Sequence, residues 1–191
     1  VFKTSKPVLM FPSSGTGAWE AALVNTVSPG ERVLAFETGH FATRWRDVAT
    51  RLGIDVRWID GDWRHGVDPS AVERELSRDS GRTIKALLVV HNETSTGITS
   101  GIAAIRKAID SAKHPALLMV DGISSVGAID YRHDEWGVDV TICGSQKGLM
   151  LPPGLGINAI SDKALMISQS TGFPKSYWDW APVVQMNERG F

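Results

Sequence analysis

Four short stretches carry residue types that could do chemistry. Ser14-Gly15-Thr16-Gly17 places small and hydroxyl residues ahead of an apolar helical pattern. Unpaired N–H groups and the positive end of a helix dipole would receive an anion there, typically phosphate. The same residues would equally form an ordinary capped turn. A dinucleotide fingerprint fits poorly, because Glu20 stands where a third small residue belongs, and no Gly-Lys-Ser/Thr follows for a P-loop. His91-Asn92-Glu93-Thr94-Ser95-Thr96-Gly97 follows an apolar run and could present amides or hydroxyls to a ligand ring, or simply cap the next helix. Asp121 follows Leu117 to Val120. A carboxylate at the end of a buried strand must be paired or hydrogen-bonded. Either Gly122, Ser124 and Ser125 satisfy it in a turn, or it faces a cationic ligand atom. Finally, Lys147 in Gly144-Ser145-Gln146-Lys147-Gly148 lies between an apolar strand and Leu149-Met150-Leu151-Pro152-Pro153. Sheltered by such neighbours, a lysine is a usable amine nucleophile or base. The alternative is a side chain that snorkels past them to solvent.

The elements that would position these residues alternate between strand and helix. Apolar runs at 7–11, 32–36, 86–90, 116–120, 138–142 and 156–160 read as strands. Those at 86–90 and 116–120 do not alternate, as expected of strands covered on both faces. Ile54, Val56 and Trp58 alternate with polar residues, which predicts a strand nearer a sheet edge. Helices are expected over 18–26, from Gly39 to about Leu52, after Asp68-Pro69, through Ile102, Ile105 and Ile109, and after Ser161-Asp162. Such alternation implies an α/β fold, a mostly parallel sheet with helices on both faces, in one domain over 1–191. Ligands in such sheets bind beyond the carboxyl ends of the strands, where all four polar stretches fall.

Composition narrows the function classes. The 191 residues include 20 Lys+Arg and 21 Asp+Glu, a net charge of −1, with 42% hydrophobic and 21% charged residues. That is an ordinary globular balance, with no basic excess for a nucleic-acid backbone. A single Cys excludes an internal disulfide or a multi-thiolate metal site, and no metal is expected. No apolar run approaches the roughly 20 residues of a membrane span.

Taken together, a phosphate cradle, a carboxylate and a sheltered lysine at neighbouring strand ends are the parts a pyridoxal phosphate site requires. The lysine forms a Schiff base, and the Asp keeps the pyridine nitrogen protonated so that the ring acts as an electron sink. The chain resembles the class V aminotransferases, of fold type I among pyridoxal phosphate enzymes. It is most similar there to the serine–glyoxylate and alanine–glyoxylate aminotransferases. The matching segments are Ser14 to Leu23, His91 to Gly97, Val120-Asp121-Gly122-Ile123-Ser124-Ser125 and Gly144-Ser145-Gln146-Lys147.

The resemblance implies that Lys147 is the Schiff-base lysine and proton shuttle, and that Asp121 pairs with the pyridine nitrogen. Thr94 would bond the ring hydroxyl, with Asn92 a second candidate, and Ser14, Gly15, Thr16 and Gln146 would line the phosphate. Phe41, after Thr38-Gly39-His40, would stack on the ring, while Trp19 and Trp45 are expected only to pack their helices. The implied reaction is a ping-pong transamination from serine, with alanine next, to glyoxylate, giving a 2-oxo acid and glycine. The partners would be these small molecules and a second copy of the chain, with Tyr177-Trp178-Asp179-Trp180 as an exposed apolar contact or a face for another domain. The resemblance further implies that 1–191 is the large cofactor-binding domain alone. An N-terminal arm and a smaller C-terminal domain, which carries the arginine for the substrate carboxylate, would lie outside it. The 191-residue chain by itself is then expected to have little activity. A cytoplasmic location is expected, or a peroxisomal one in a plant or animal. Two alternatives compete. A cysteine desulfurase-like lyase needs a mobile catalytic Cys, and Cys143 lies in an apolar strand. A non-catalytic phosphate- or nucleotide-binding domain is the other. Hydrolysis finds neither a Gly-x-Ser-x-Gly elbow nor Ser-x-x-Lys at Lys147.

Overall fold

The computed structural model describes residues 1–189. Seven strands, β1 (Val8–Pro12), β2 (Arg32–Phe36), β3 (Asp55–Ile59), β4 (Ile84–Val90), β5 (Leu117–Asp121), β6 (Val140–Gly144) and β7 (Leu155–Ile160), form one sheet in the order β1-β7-β6-β5-β4-β2-β3. β3 is an edge strand, as its alternation predicts. The run from β3 to β6 is parallel throughout. β7, by contrast, is antiparallel to both β6 and β1. The reason is the connection from Ser145 to Gly154, which contains no helix. A parallel return needs a crossover of about a dozen residues or more, and a shorter link folds the chain back on itself.

Among the described residues six helices complete the fold: α1 (Gly15–Thr26), α2 (His40–Arg51), α3 (Pro69–Arg78), α4 (Ile102–Ser111), α5 (Asp162–Ser168) and α6 (Trp180–Glu188). Most start where the sequence supplies a cap. Asp68 accepts from Ser70 N–H with Pro69 at the first helical position, and Ser161 accepts from Ala164 N–H. One face of the sheet buries Trp19, Leu23, Trp45, Ala164 and Trp180 from α1, α2, α5 and α6. The other buries Val72, Leu76, Ile105 and Ile109 from α3 and α4, with Tyr131. Burying each large aliphatic of these layers contributes roughly 1.5–3 kcal/mol.

The tryptophan-rich segment near the end of the chain differs from its expectation as an exposed contact. Trp180 is fully buried, and Trp178 packs edge-on against Phe11 at 5.5 Å and donates to Glu20. Asn25 of α1 ties this segment down, donating to Trp178 O and accepting from Trp180 N–H. Indole surface this large buries itself where a neighbouring helix offers an apolar wall. Only Tyr177 stays exposed. Among the described residues no helix is long and apolar enough to cross a membrane.

Candidate active site

At the carboxyl ends of β4, β5 and β6 lies a cleft of about 220 Å³. It is lined by Ser14, Gly15, Thr16, Phe41, Thr94, Asp121, Gln146 and Lys147, and by Asn92, so all the expected site residues converge there. Trp19, Val90, Ile123 and Ser124 complete the wall.

The first turn of α1 forms one side. Ser14 caps it, its Oγ accepting from Gly17 N–H at 3.4 Å. A Cβ at Gly15 would lie 2.4 Å from Ile123 Cδ1, so the end of that side chain would have to turn aside. The helix start thus presents backbone N–H groups, with Ser14 and Thr16 beside them, at the positive end of the dipole.

Asp121 ends β5 and is buried. Its Oδ1 accepts from Ile123 N–H at 2.8 Å and its Oδ2 from the Trp19 indole at 3.1 Å. Burial pushes the carboxyl up to about 7; the two N–H donors oppose that rise and the neighbouring Glu93 charge adds to it. The indole contact corrects the expectation that Trp19 only packs its helix. Trp45 does pack, stacking on Trp19 at 5.9 Å between ring centroids.

Glu93 is a second residue that sequence reasoning left without a role. It is fully buried. Its carboxylate accepts from the backbone N–H groups of Phe41 at 3.3 Å and Ala42 at 3.1 Å, and from the backbone and hydroxyl of Ser95. Ser95 Oγ in turn accepts from His40 N–H. The helix α2 has no side-chain cap from its own N-cap, Gly39, so the loop after β4 supplies one. Gly39 has φ +155°, and a Cβ there would lie 2.5 Å from Glu93 Cγ. The brace thereby fixes Phe41 relative to Thr94, whose Oγ1 lies 2.5 Å from Ser124 Oγ.

Lys147 sits in the turn after β6, held by Ser145, whose Oγ donates to Pro152 O and accepts from Leu155 N–H. Lys147 is exposed, not sheltered as its apolar neighbours suggested. Met150 and Leu151 turn outward, at 89% and 51% exposure, and leave the amine open to solvent. Cys143 is fully buried, and burial pushes its thiol up to about 12, so it is no nucleophile. His91 follows β4, tilted against Tyr131 and edge-on to Trp136, and burial lowers it to about 4, so it stays neutral.

The geometry fits a phosphorylated heteroaromatic ring. A helix N-terminus, a buried carboxylate, an aromatic side chain and a primary amine share one cleft. No arginine lines it among the described residues.

Residues 2–173 match the sequence profile of the class-V aminotransferases. The chain is 50% identical to an L-aspartate–glyoxylate aminotransferase of Paracoccus denitrificans over 94% of its own length and 46% of the relative's. It is 48% identical to a serine–glyoxylate aminotransferase of Methylorubrum extorquens, covering 98% of this chain and 48% of that one. The fold superposes on an alanine–glyoxylate aminotransferase of Nostoc sp. with a TM-score of 0.85 and 32% identity, covering 99% of this chain and 48% of the other. The chain spans about half the length of the relatives it matches.

Proposed function

The chain belongs to the class-V aminotransferase family, and we propose that it is the large cofactor-binding domain of an enzyme that transfers an amino group from a small amino acid to glyoxylate. The observation that carries this reading is the convergence of Asp121, Lys147, Phe41 and the α1 cradle in one cleft. Class-V aminotransferases use pyridoxal phosphate, which when bound supplies an electron-withdrawing ring that stabilises negative charge at the substrate α-carbon.

The chain's own residues would divide the work as follows. Ser14, Gly15, Thr16 and Gln146 hold the phosphate with backbone and side-chain donors. Phe41 covers one face of the ring and excludes water. Thr94 donates to the ring hydroxyl, with Asn92 beside it. Asp121, through its carboxylate, keeps the ring nitrogen protonated. Lys147 Nζ would anchor the cofactor and serve as the base that takes the substrate α-proton. Serine is the first donor to expect and alanine the next, with a 2-oxo acid and glycine as products. The 50% identical relative is named for aspartate, so aspartate belongs in the same screen.

Exposed Met150 and Leu151 beside Lys147 support a homodimer closing over the cleft. A cytoplasmic or peroxisomal location suits the single, unpaired cysteine.

Borohydride reduction of the full-length protein after incubation with pyridoxal phosphate, followed by peptide mass mapping, tests the assignment. The expected result is a pyridoxyl group on Lys147 and glyoxylate-dependent loss of serine. Modification of another lysine would refute the residue roles. Absence of any bound cofactor would refute the enzyme reading.

A further inference from the structure

The contact between Trp19 and Asp121 is more than packing. Trp19 is 1% exposed, and it stacks on Trp45 at an interplanar angle of 12°. A swing of the indole would break that stack, and its Nε1–H meets Asp121 Oδ2 while Ile123 N–H holds Oδ1. One fixed donor on each oxygen defines the carboxylate plane. A carboxylate has about four acceptor positions, so each oxygen keeps one free, and Asp121 lines the cleft. Indole nitrogen is a donor only, so it bonds the ionised carboxylate more strongly than the protonated acid. Glu93, the other carboxylate that acts on Asp121, works in the opposite sense.

We propose that Trp19 is a positioning residue for Asp121: its indole N–H orients the carboxylate toward the cleft and keeps it ionised, so that the proton shared with a bound pyridine nitrogen stays on the ring. This rests on the pyridoxal phosphate reading of the cleft. Without the indole donor, Oδ2 becomes the more basic partner. The proton then moves from the ring nitrogen to the carboxylate, and the ring draws electrons less strongly.

The test uses the full-length holoenzyme loaded with cofactor labelled with 15N in the ring. Trp19→Phe keeps an aromatic face on Trp45 and removes the donor together with part of the buried ring system. Its ring-nitrogen NMR signal should shift toward the unprotonated position, with cofactor binding roughly tenfold weaker. The kcat should fall roughly tenfold while the KM for the amino donor stays near that of the wild type. Trp45→Phe, which perturbs the same stack without touching Asp121, should leave the nitrogen signal in place. Should Trp19→Phe fail to fold, replacement of Trp19 by benzothienylalanine keeps the shape with sulfur in place of N–H, and the same shift is expected. A ring-nitrogen signal unchanged in the donor-less variant, with the cofactor still on Lys147, would overturn the role of Trp19 alone. Failure of the wild-type protein to bind the cofactor would instead overturn the reading beneath it, and this inference with it.

Discussion

Asp121 holds a buried carboxyl whose proton leaves only near pH 7, against an ordinary value of 3.8, because burial disfavours the charge. In the cofactor-free protein this has a definite sign. Below about pH 4 both folded and unfolded chains hold the proton and stability is unaffected. Between pH 4 and 7 the unfolded chain releases it while the folded one keeps it, so stability falls as pH rises and then levels off. Asp121→Asn removes that penalty. Its amide nitrogen faces one of the two N–H donors at every pH, so what should change is the gap to wild type: the cofactor-free variant should gain a few kcal/mol relative to wild type between pH 4 and pH 8. Thermal melts at the two pH values check this, and a gap that does not depend on pH would show that Asp121 does not titrate as described. The same variant should lose transamination, since an amide cannot hold the ring nitrogen protonated.

At the scale of elements, the buried Glu93 ties the loop after β4 to the start of α2. Glu93→Gln replaces one acceptor oxygen with a donor that faces N–H groups. It should destabilise the fold by about 2 kcal/mol, in the range for hydrogen bonds to a charged partner. Amides of Phe41 and Ala42 should exchange faster than those of the helix interior, as hydrogen-exchange mass spectrometry would register. A variant with wild-type stability and protection would leave α2 to be held by packing alone. The sequence shows why Glu93 escapes notice there. It lies in a run of polar residues and its partners Phe41 and Ala42 are about 50 positions away, so no local spacing reveals the pairing. The strands, by contrast, are legible because buried parallel strands read as unbroken apolar runs, as in Ala86 to Val90. The four polar stretches are legible because each follows such a run or opens a helix. Trp19 was hidden among the apolar residues of α1, where an indole N–H looks like any other core atom. For Lys147 the run Leu149 to Pro153 leaves shelter and solvent both open, and the outward turn of Met150 and Leu151 decides for solvent. The helix α6 was missed because Trp178 and Trp180 look like surface anchors until Asn25 and Phe11 are placed beside them.

For the whole molecule, the cleft supplies a cofactor's contacts more fully than a substrate's. Lys147 is its one cationic side chain among the described residues, and that amine is committed to the cofactor in the proposed mechanism. An amino acid's carboxylate is best held by a bidentate guanidinium, which this cleft lacks. The 191-residue chain assayed alone with serine and glyoxylate should therefore turn over far more slowly than the full-length protein, and comparable rates would mean that the substrate is held without an arginine.

The antiparallel edge made by β1 and β7 also sets an order of assembly. Val8 pairs with Ala159 and Phe11 with Gly156, so the strand synthesised first finds its partner last. At ordinary translation rates the two emerge on the order of ten seconds apart. Until β7 appears, β1 has no strand to join, and Leu9 and Phe11 cannot take their places in the buried layer they share with Trp19 and Trp180. Closing so distant a contact is slow, because the loop must be ordered before the pairing rewards it. A nascent chain stalled before Leu155 would carry an open edge and two uncovered apolar side chains, the form of this protein most in need of a chaperone.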